Sequence, residues 1–343
     1  MANSLSDTIF QKGVEAGASD VHITVGSPLL FRIDGELLPQ TENDITPADA
    51  EKFVKATLQD FSFKRLQENR EVDVSYQLPN GVRLRVNCHF ERGFHGLVAR
   101  VIPTDIPTLE EIGLENIIPR FTQHREGLIL FTGPTGMGKS TSLASMIQYI
   151  NDTKAESIVT LEDPIEFLFP RGKGLIRQRQ LGQDFLSFAE ALKRVLRQDP
   201  NIVMVGEMRD PETFSAALTL AETGHLILGT LHTPNTIQAI DRMIDVFPPY
   251  QQPQIRSQLS MSLKAIVAQR LLPRIGGGRT AHREILINTQ AASNTIRDNR
   301  LAELKSVLQT GTELGMVSFE KDAKRLYKEN IISKEVYEAA LVQ

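Results

Sequence analysis

A glycine-rich stretch between a predicted strand and a predicted helix constrains this chain more than any other feature. An apolar run at 128–131 leads into Gly-Pro-Thr-Gly-Met-Gly-Lys-Ser-Thr at 133–141, and residues 142–149 have helical character. The pattern G-x-x-x-x-G-K-[ST] between a strand and a helix is typical of loops that bind the phosphates of a nucleotide. The candidate nucleotide-binding residues are Gly133, Pro134, Thr135, Gly136, Met137, Gly138, Lys139, Ser140 and Thr141.

The parts of this pattern have separate physical roles. Gly133 and Gly138 let the backbone bend so that its N–H groups converge on phosphate oxygens. The helix that follows directs its positive N-terminal end at the same phosphates. Lys139 would supply a positive charge to the β- and γ-phosphates, and Ser140 a hydroxyl ligand for Mg²⁺. The sequence therefore predicts a site for ATP and Mg²⁺ at this loop.

Two later strands of the same region end in carboxylates. The predicted strand at 157–161 is followed by Glu162, and the one at 202–205 is followed by Gly206 and Glu207. Ligands of parallel α/β folds bind at the carboxyl ends of the strands, so both glutamates are expected beside the nucleotide. Hydrolysis needs one acidic group near Mg²⁺ and another that orients or deprotonates water. We assign Glu207 to the metal and Glu162 to the water; the alternative is that either one caps a helix or pairs with a cation.

Two histidines border the next predicted strand, at 226–231. His225 precedes this strand, and His232 follows it at the same end as Glu162 and Glu207. A histidine on an apolar strand is more often structural than functional, but a group that senses the γ-phosphate would have to lie at that end. His232 is therefore the better candidate of the two.

The length of the chain favours two domains, since 343 residues exceed the roughly 250–300 at which single cores stop growing. Residues 1–103 have short strands, turn signals and helical periodicity, which predicts a small α+β domain with a mainly antiparallel sheet. Residues 104–119 carry several prolines and are predicted to be a linker. From 120 to 343, buried-type strands alternate with helices, which predicts an α/β domain that is mostly helical from about 254.

Composition excludes several classes of protein. The net charge is −4 and tryptophan is absent, which does not favour nucleic acid as a partner. Cys88 is the single cysteine, which excludes a disulfide framework and a four-cysteine zinc site within one chain. The N-terminal residues lack the pattern of a signal peptide, and no run approaches the ~20 apolar residues that span a bilayer. We expect a cytoplasmic protein that meets a membrane only through a partner.

Four motifs occur in an order that resembles one protein family. They are the loop at 133–141, Thr-Leu-Glu-Asp-Pro-Ile-Glu at 160–166, Val-Gly-Glu-Met-Arg-Asp at 205–210 and the histidine-bearing stretch at 223–232. Together they resemble the Walker A, Asp, Walker B and His boxes of the bacterial secretion ATPases. The chain is similar, over essentially its whole length, to the PilT/PilU family of type IV pilus retraction ATPases within that superfamily.

The resemblance implies a fold, an assembly and partners. The fold would be α/β, with a PAS-like N-terminal α+β domain joined to a C-terminal RecA-like P-loop ATPase domain that has a helical C-terminal region. The assembly would be a homo-hexamer that uses ATP and Mg²⁺ to drive pilus retraction and twitching motility. It would act peripherally at the inner face of the cytoplasmic membrane, on a pilus platform protein and beside a paralogous retraction ATPase.

The resemblance also implies residue roles. Glu162 would match the catalytic glutamate and Glu207 the Walker B glutamate, while His225 and His232 would be the His-box residues, with His225 near the nucleotide. Two arginines of the N-terminal domain would reach the nucleotide and stabilise charge that develops on the γ-phosphate. They are Arg85 and Arg100.

One stretch departs from the family pattern. The family carries Ala-Ile-Arg-Asn-Leu-Ile in a motif linked to retraction, whereas this chain has Ala-Ala-Ser-Asn-Thr-Ile from position 291. The departure leaves open a PilU-like accessory ATPase that depends on a paralogue, and a module that binds ATP without hydrolysing it. A nucleic-acid-translocating RecA-like motor is a further alternative, which the charge and the 6% aromatic content do not favour.

Overall fold

The computed structural model describes residues 4–102 and 105–342. Within these residues the chain forms two compact units. The first runs to Asp105 and includes Pro164–Leu168; the second takes Ile106–Asp163 and the chain from Phe169 onward. Residues 1–3, 103, 104 and 343 lie outside the described part, and with them the predicted boundary between N-terminal domain and linker.

The first unit contains a six-stranded sheet in the order β3-β2-β1-β6-β5-β4. Each neighbouring pair of strands in it is antiparallel, which confirms the predicted α+β character of this region. Its elements are α1 (Leu5–Glu15), β1 (Asp20–Ile23), β2 (Leu30–Ile33), β3 (Glu36–Pro39), α2 (Pro47–Thr57), α3 (Asp60–Asn69), β4 (Glu71–Gln77), β5 (Arg83–Glu91) and β6 (Phe94–Ile102).

Local sequence explains where these elements begin and turn. Ser4 and Asp7 form a capping box at α1, in which the Asp7 N–H donates to Ser4 Oγ at 3.0 Å and the Ser4 N–H to Asp7 Oδ2 at 2.9 Å. Asp34 and Gly35 both have positive φ between β2 and β3, as a two-residue hairpin turn requires. The Asp-Gly turn signal in the sequence is thus confirmed.

The second unit contains a seven-stranded sheet in the order β13-β12-β7-β11-β10-β8-β9. No helix in the described ranges is long and apolar enough to cross a membrane. The elements of this unit are α4 (Ile118–Phe121), β7 (Gly127–Thr132), α5 (Lys139–Thr153), β8 (Ser157–Glu162), β9 (Leu175–Gln180), α6 (Phe188–Val195), β10 (Ile202–Val205), α7 (Pro211–Glu222), β11 (Leu226–Leu231), α8 (Thr236–Asp245), α9 (Gln252–Ser262), β12 (Leu263–Pro273), β13 (Arg279–Ile287), α10 (Gln290–Arg297), α11 (Leu304–Thr310), α12 (Phe319–Lys328) and α13 (Lys334–Val342).

The central strands of this sheet are parallel and buried along their whole length. Every residue of β7, β10 and β11 is buried, because helices cover both faces of a sheet of this kind. The register pairs β7 with β11, β11 with β10 and β10 with β8, all in parallel. The carboxyl ends of the four strands therefore meet at one edge of the sheet.

Two strands lie where the sequence predicted a mostly helical region. β12 pairs in parallel with β7, and β13 returns antiparallel to β12, so the prediction of helix from about 254 is wrong for both segments. Five consecutive residues of β12, 265–269, are buried. A run that is buried on both faces has no strand periodicity, and its sequence alone does not distinguish it from a buried helix.

The predicted linker at 104–119 is also largely wrong. Leu109, Leu114 and Ile118 are at most 7% exposed and pack in one cluster with Ile129 and Phe131 of β7. The prolines of this stretch indicated a linker because they break regular structure. Irregular backbone can still bury its apolar side chains, and from Ile106 onward this segment belongs to the second unit.

Candidate active site

The glycine-rich loop joins the end of β7 to the start of α5, as the sequence predicted. Gly133, Gly136 and Gly138 have φ values of 143°, 77° and 77°, a region that residues with a Cβ rarely adopt. Gly138 is the N-cap of α5, so the loop ends at the positive end of a 15-residue helix. Its backbone geometry suits an anion such as a phosphate group.

Lys139 lies folded over this loop and is only 7% exposed. Its ammonium group donates to the carbonyl oxygen of Gly133 at 2.6 Å and to that of Pro134 at 2.9 Å. Pro134, Thr135 and Gly136 are exposed at the top of the loop. The lysine is thus held at the loop by backbone carbonyls.

The two predicted acidic residues come from neighbouring strands. Leu161 lies opposite Val205 in the parallel register of β8 and β10, and the Gly206 N–H donates to the Leu161 carbonyl at 2.7 Å. A Cβ on Gly206 would lie 3.1 Å from that carbonyl oxygen and 3.3 Å from Glu162 Cα. Gly206 therefore permits a close approach that brings Glu162 and Glu207 to the same edge as the loop.

Glu162 is 6% exposed and is oriented by two side chains. Its Oε1 accepts from Thr160 Oγ1 at 2.6 Å and from Gln178 Nε2 at 3.1 Å. A carboxylate that is hydrogen-bonded in this way is held in one direction, as a group that positions water must be. Sequence reasoning missed Gln178 because it lies on β9, a strand that the sequence analysis did not identify.

Glu207 lies between two side chains that carry or can carry positive charge. Its Oε2 is 2.6 Å from Arg209 Nη2 and 3.7 Å from His232 Nε2. Burial lowers the pKa of His232 below its ordinary value, and the nearby charge of Lys139 lowers it further. His232 is therefore neutral at pH 7. Sequence reasoning assigned no role to Arg209, although it lies within the Walker B stretch, two residues after Glu207.

A threonine pair ties the His232 segment to the loop. Thr132, the last residue of β7, bonds through Oγ1 to the Thr233 carbonyl at 2.6 Å and accepts from the Thr233 N–H at 3.1 Å. These contacts hold the residue after His232 against the residue before Gly133. The structure thus brings His232, Glu207, Glu162 and the loop together, as the sequence predicted from their positions at strand ends.

His225 is placed elsewhere, which corrects its assignment as a nucleotide contact within one chain. It precedes β11, and its carbonyl accepts from the N–H of Gly127 at the start of β7. The phosphate-binding loop follows the other end of β7, about 20 Å away for six residues of strand. The His225 ring lies 3.3 Å from the Leu220 carbonyl at the end of α7. The resemblance to a His box assigned His225 to the nucleotide together with His232. The position of His225 before β11 places it at the opposite edge of the sheet.

Arg85 and Arg100 lie opposite each other on β5 and β6 of the first unit. Like charges at directly opposed positions repel, and acidic partners offset this. Arg100 Nε is 2.8 Å from Asp20 Oδ1, and Arg85 Nε is 3.8 Å from Asp73 Oδ1. Both arginine side chains are more than two-fifths exposed, so their guanidinium groups are accessible for an anion.

The donor set at the loop suits Mg²⁺ bound together with a nucleotide. No group of three or more His, Cys, Asp or Glu side chains that could hold a metal occurs in the parts of the chain that the structure describes. Mg²⁺ in nucleotide sites takes most of its ligands from phosphates and water and only one or two from the protein. Ser140 and Glu207 meet that requirement.

Comparison with known proteins places the chain in a family. Residues 1–339 match the family described as "Type II/IV secretion system protein". The chain is 44% identical over 323 residues to the type IV pilus retraction ATPase PilT of Pseudomonas aeruginosa, and the match covers 93% of each chain. It is 40% identical over 329 residues to the type IV pilus ATPase PilU of the same organism, covering 96% of this chain and 85% of PilU.

A solved structure agrees with these matches. The crystal structure of the pilus retraction motor PilT with bound ADP superposes with a TM-score of 0.90 at 42% identity, covering 98% of this chain and 97% of the other. An α/β fold with an N-terminal antiparallel sheet and a mainly parallel C-terminal sheet is thus shared with a motor of known nucleotide use. The predicted fold class and family are confirmed.

Proposed function

Since the chain belongs to the family of type II/IV secretion system proteins, we propose that it is an ATPase motor that retracts type IV pili and so powers twitching motility. The observation that carries this proposal is the convergence of the phosphate-binding loop, Glu162, Glu207 and His232 at one edge of the parallel sheet. The identity of 44% with a pilus retraction ATPase supports the substrate and the process.

The proposed reaction is hydrolysis of ATP to ADP and phosphate. The loop from 133 to 141 binds the phosphates, with Lys139 at the β- and γ-phosphates and Ser140 and Glu207 on the side of Mg²⁺. The metal, when bound, neutralises charge on the phosphate oxygens. Glu162, held by Thr160 and Gln178, orients the attacking water and accepts its proton.

His232 and the two arginines complete the proposed machinery. The neutral imidazole of His232 contacts the γ-phosphate and links it to Glu207, which lies 3.7 Å away. Arg85 and Arg100 supply positive charge to the transferring phosphoryl group. They belong to the N-terminal PAS-like domain, so turnover in this proposal also depends on residues outside the second unit.

The proposed assembly is a homo-hexamer. Hydrolysis in the ring would move each N-terminal domain against its RecA-like domain, and this motion would act on a pilus platform protein in the inner membrane. The motor would thus work peripherally at the cytoplasmic face of that membrane. The 40% identity with PilU supports a paralogous retraction ATPase as a further partner.

A second candidate is an accessory retraction ATPase that works only beside a paralogue. It is favoured by α10, where Ala292, Ser293 and Thr295 replace residues of a motif linked to retraction in the family. Ala292 is buried, and Ser293 Oγ donates to the Ser260 carbonyl at 2.7 Å. These side chains are engaged with the fold, whereas an arginine in place of Ser293 would present a charge there.

The function is tested by replacing the gene with a Glu162→Gln allele and measuring ATPase activity and pilus retraction. The amide keeps the shape of the side chain but cannot accept a proton, so we expect turnover to fall by roughly 10²-fold or more while nucleotide binding remains. Retraction should stop. Wild-type protein that lacks ATPase activity, or a Glu162→Gln strain that still retracts its pili, would refute the proposal.

The same strain background separates the two candidates. Deletion of the gene in cells that keep a second retraction ATPase abolishes retraction if this chain is the main motor. If it is the accessory, retraction persists in that strain and is lost only when the paralogue is deleted.

A further inference from the structure

Gln269 of β12 lies directly against the phosphate-binding loop. Ala268 is paired with Thr132 of β7, which places Gln269 beside Gly133, and Gln269 is 2% exposed. A Cβ on Gly133 would lie 2.2 Å from the Gln269 carbonyl oxygen, and one on Gly138 would lie 2.9 Å from Gln269 Nε2. The loop therefore packs directly against Gln269. A side chain at Gly133 or Gly138 would collide with this residue, so both glycines are needed for the contact as well as for the proposed binding of phosphate.

The side-chain amide of Gln269 bonds to the second half of the loop and to the helix that follows it. Its Nε2 donates to the Met137 carbonyl at 2.7 Å. Its Oε1 accepts from Ser142 Oγ in the first turn of α5 at 2.9 Å and from Arg283 Nε at 2.8 Å. The Met137 carbonyl and the Gly138 N–H belong to one planar peptide, so holding the carbonyl also sets the direction of that N–H.

Arg283 of β13 decides which way this amide points. A guanidinium group only donates hydrogen bonds, so a flipped amide would turn its NH₂ group against an obligate donor. Arg283 is 6% exposed, and although burial lowers its pKa to about 10, it remains charged at neutral pH. The carboxylate of Asp322 on α12 accepts from the backbone N–H of Arg283 at 2.8 Å and from Arg325 Nη2 at 2.7 Å. These bonds anchor this part of β13 to α12.

We propose that Gln269 is a positioning residue that sets the conformation of the phosphate-binding loop, and that Arg283 fixes the orientation of its amide. This inference rests on the proposed nucleotide function of the loop. Gln269 acts through the 137–138 peptide rather than by touching the nucleotide. Its effect is therefore on how well the loop N–H groups match the phosphates.

The variant Gln269→Glu tests this role because it keeps the size of the side chain and its contacts with Ser142 and Arg283. It replaces the donor to Met137 by an oxygen that repels the carbonyl. We expect the affinity of the full-length chain for ADP, measured by isothermal titration calorimetry, to fall about tenfold or more, which is the loss of one good hydrogen bond. Circular dichroism and melting temperature should stay near wild type, since the carboxylate pairs with Arg283.

The matched control is Gln309→Glu, the same chemical change at an exposed position of α11 in the same unit. It should alter ADP affinity less than about twofold. A second variant, Gln269→Met, removes the donor without adding charge and should weaken ADP binding in the same direction. Both Gln269 variants are compared at a temperature well below their melting points, where the chain is folded.

The outcomes separate this inference from the proposed function. Wild type that binds no ADP refutes the nucleotide function itself. Wild type that binds ADP, together with Gln269→Glu and Gln269→Met variants that bind it equally well, leaves the nucleotide function standing and overturns the role of Gln269.

Discussion

Single residues at the site influence one another through charge. Lys139 is buried within the loop, and its ammonium lowers the pKa of His232 after the larger effect of burial. Glu207 acts in the opposite direction from 3.7 Å away. The balance keeps His232 uncharged at neutral pH, where its imidazole can both donate and accept a hydrogen bond.

Turnover should therefore fall on the acid side as His232 becomes charged. Because the pKa of His232 is lowered from the ordinary histidine value of about 6.5, half-protonation lies at a pH below that value and the neutral form dominates above it. A protonated ring would pair with Glu207 and so compete with the proposed role of this carboxylate at Mg²⁺. We expect His232→Gln to lower turnover about tenfold and to remove this acid limb from a pH–rate profile.

A suitable control is His95→Gln, since burial also lowers the pKa of His95 but this residue lies in the first unit. Its profile should keep the wild-type shape. An acid limb that persists unchanged in His232→Gln would assign the titration to another group.

At the scale of elements, the phosphate-binding loop is shaped by its neighbour β12 as much as by its own sequence. Gly133 and Gly136 both have positive φ. A Cβ on Gly133 would meet the Gln269 carbonyl oxygen at 2.2 Å, whereas one on Gly136 would meet no atom within 4 Å. Gly133 is a fixed glycine of the G-x-x-x-x-G-K-[ST] pattern, whereas Gly136 occupies one of its variable positions. The two positions also differ in their tolerance of a side chain.

Alanine substitutions should reveal this difference. Gly136→Ala adds only backbone strain, about 1 kcal/mol for a left-handed residue, and should lower the melting temperature by a few degrees at most. Gly133→Ala adds a collision with the backbone carbonyl of Gln269, which cannot move aside. It should lower the free energy of unfolding several-fold more than Gly136→Ala does, and it should abolish ADP binding. Thermal unfolding and ADP titration of both variants check this, and equal effects of the two would contradict it.

At the scale of the whole molecule, the described residues form two compact units with separate cores. One core surrounds Phe10, Phe53 and Leu97 of the first unit, and the other cores belong to the second. The phosphate-binding loop, Glu162, Glu207 and His232 all belong to the second unit. A nucleotide bound by these residues therefore stabilises that unit directly.

Calorimetry should show this division. We expect two unfolding transitions. ADP should raise the midpoint temperature of the transition that belongs to the second unit. At an ADP concentration of about 100 times its dissociation constant, the free energy of unfolding of the second unit should increase by about 2.7 kcal/mol. Lys139→Ala, which removes the proposed contact with the phosphates, serves as the control and should lose the shift. A single transition, or an equal shift of both, would contradict the division.

Much of the fold and site could be predicted from local patterns. The loop at 133–141, the hairpin turn at Asp34 and Gly35, and the buried strands before Glu162 and Glu207 each have a signal within a few residues. β12 had none, because its central run at 265–269 is buried on both faces and lacks periodicity. β13, an edge strand that is only partly buried, was also missed. His225 was wrongly assigned to the nucleotide because a motif gives only the order of residues along the chain. The direction of β11 decides at which edge of the sheet each of its flanking residues lies.

The sequence alone was sufficient to predict the loop to which phosphate binding is assigned, since backbone flexibility, a lysine and a hydroxyl within nine residues follow from residue type. It was also sufficient to predict that strand-end carboxylates would gather beside them, because parallel strands end at one edge. Only the tertiary structure revealed the residues that hold these groups in place. Gln178 and Gln269 come from strands that pair across the sheet, 16 and 132 positions from Glu162 and Met137. Hydrogen bonds over such separations exist only once the sheet has assembled, and no local pattern records them.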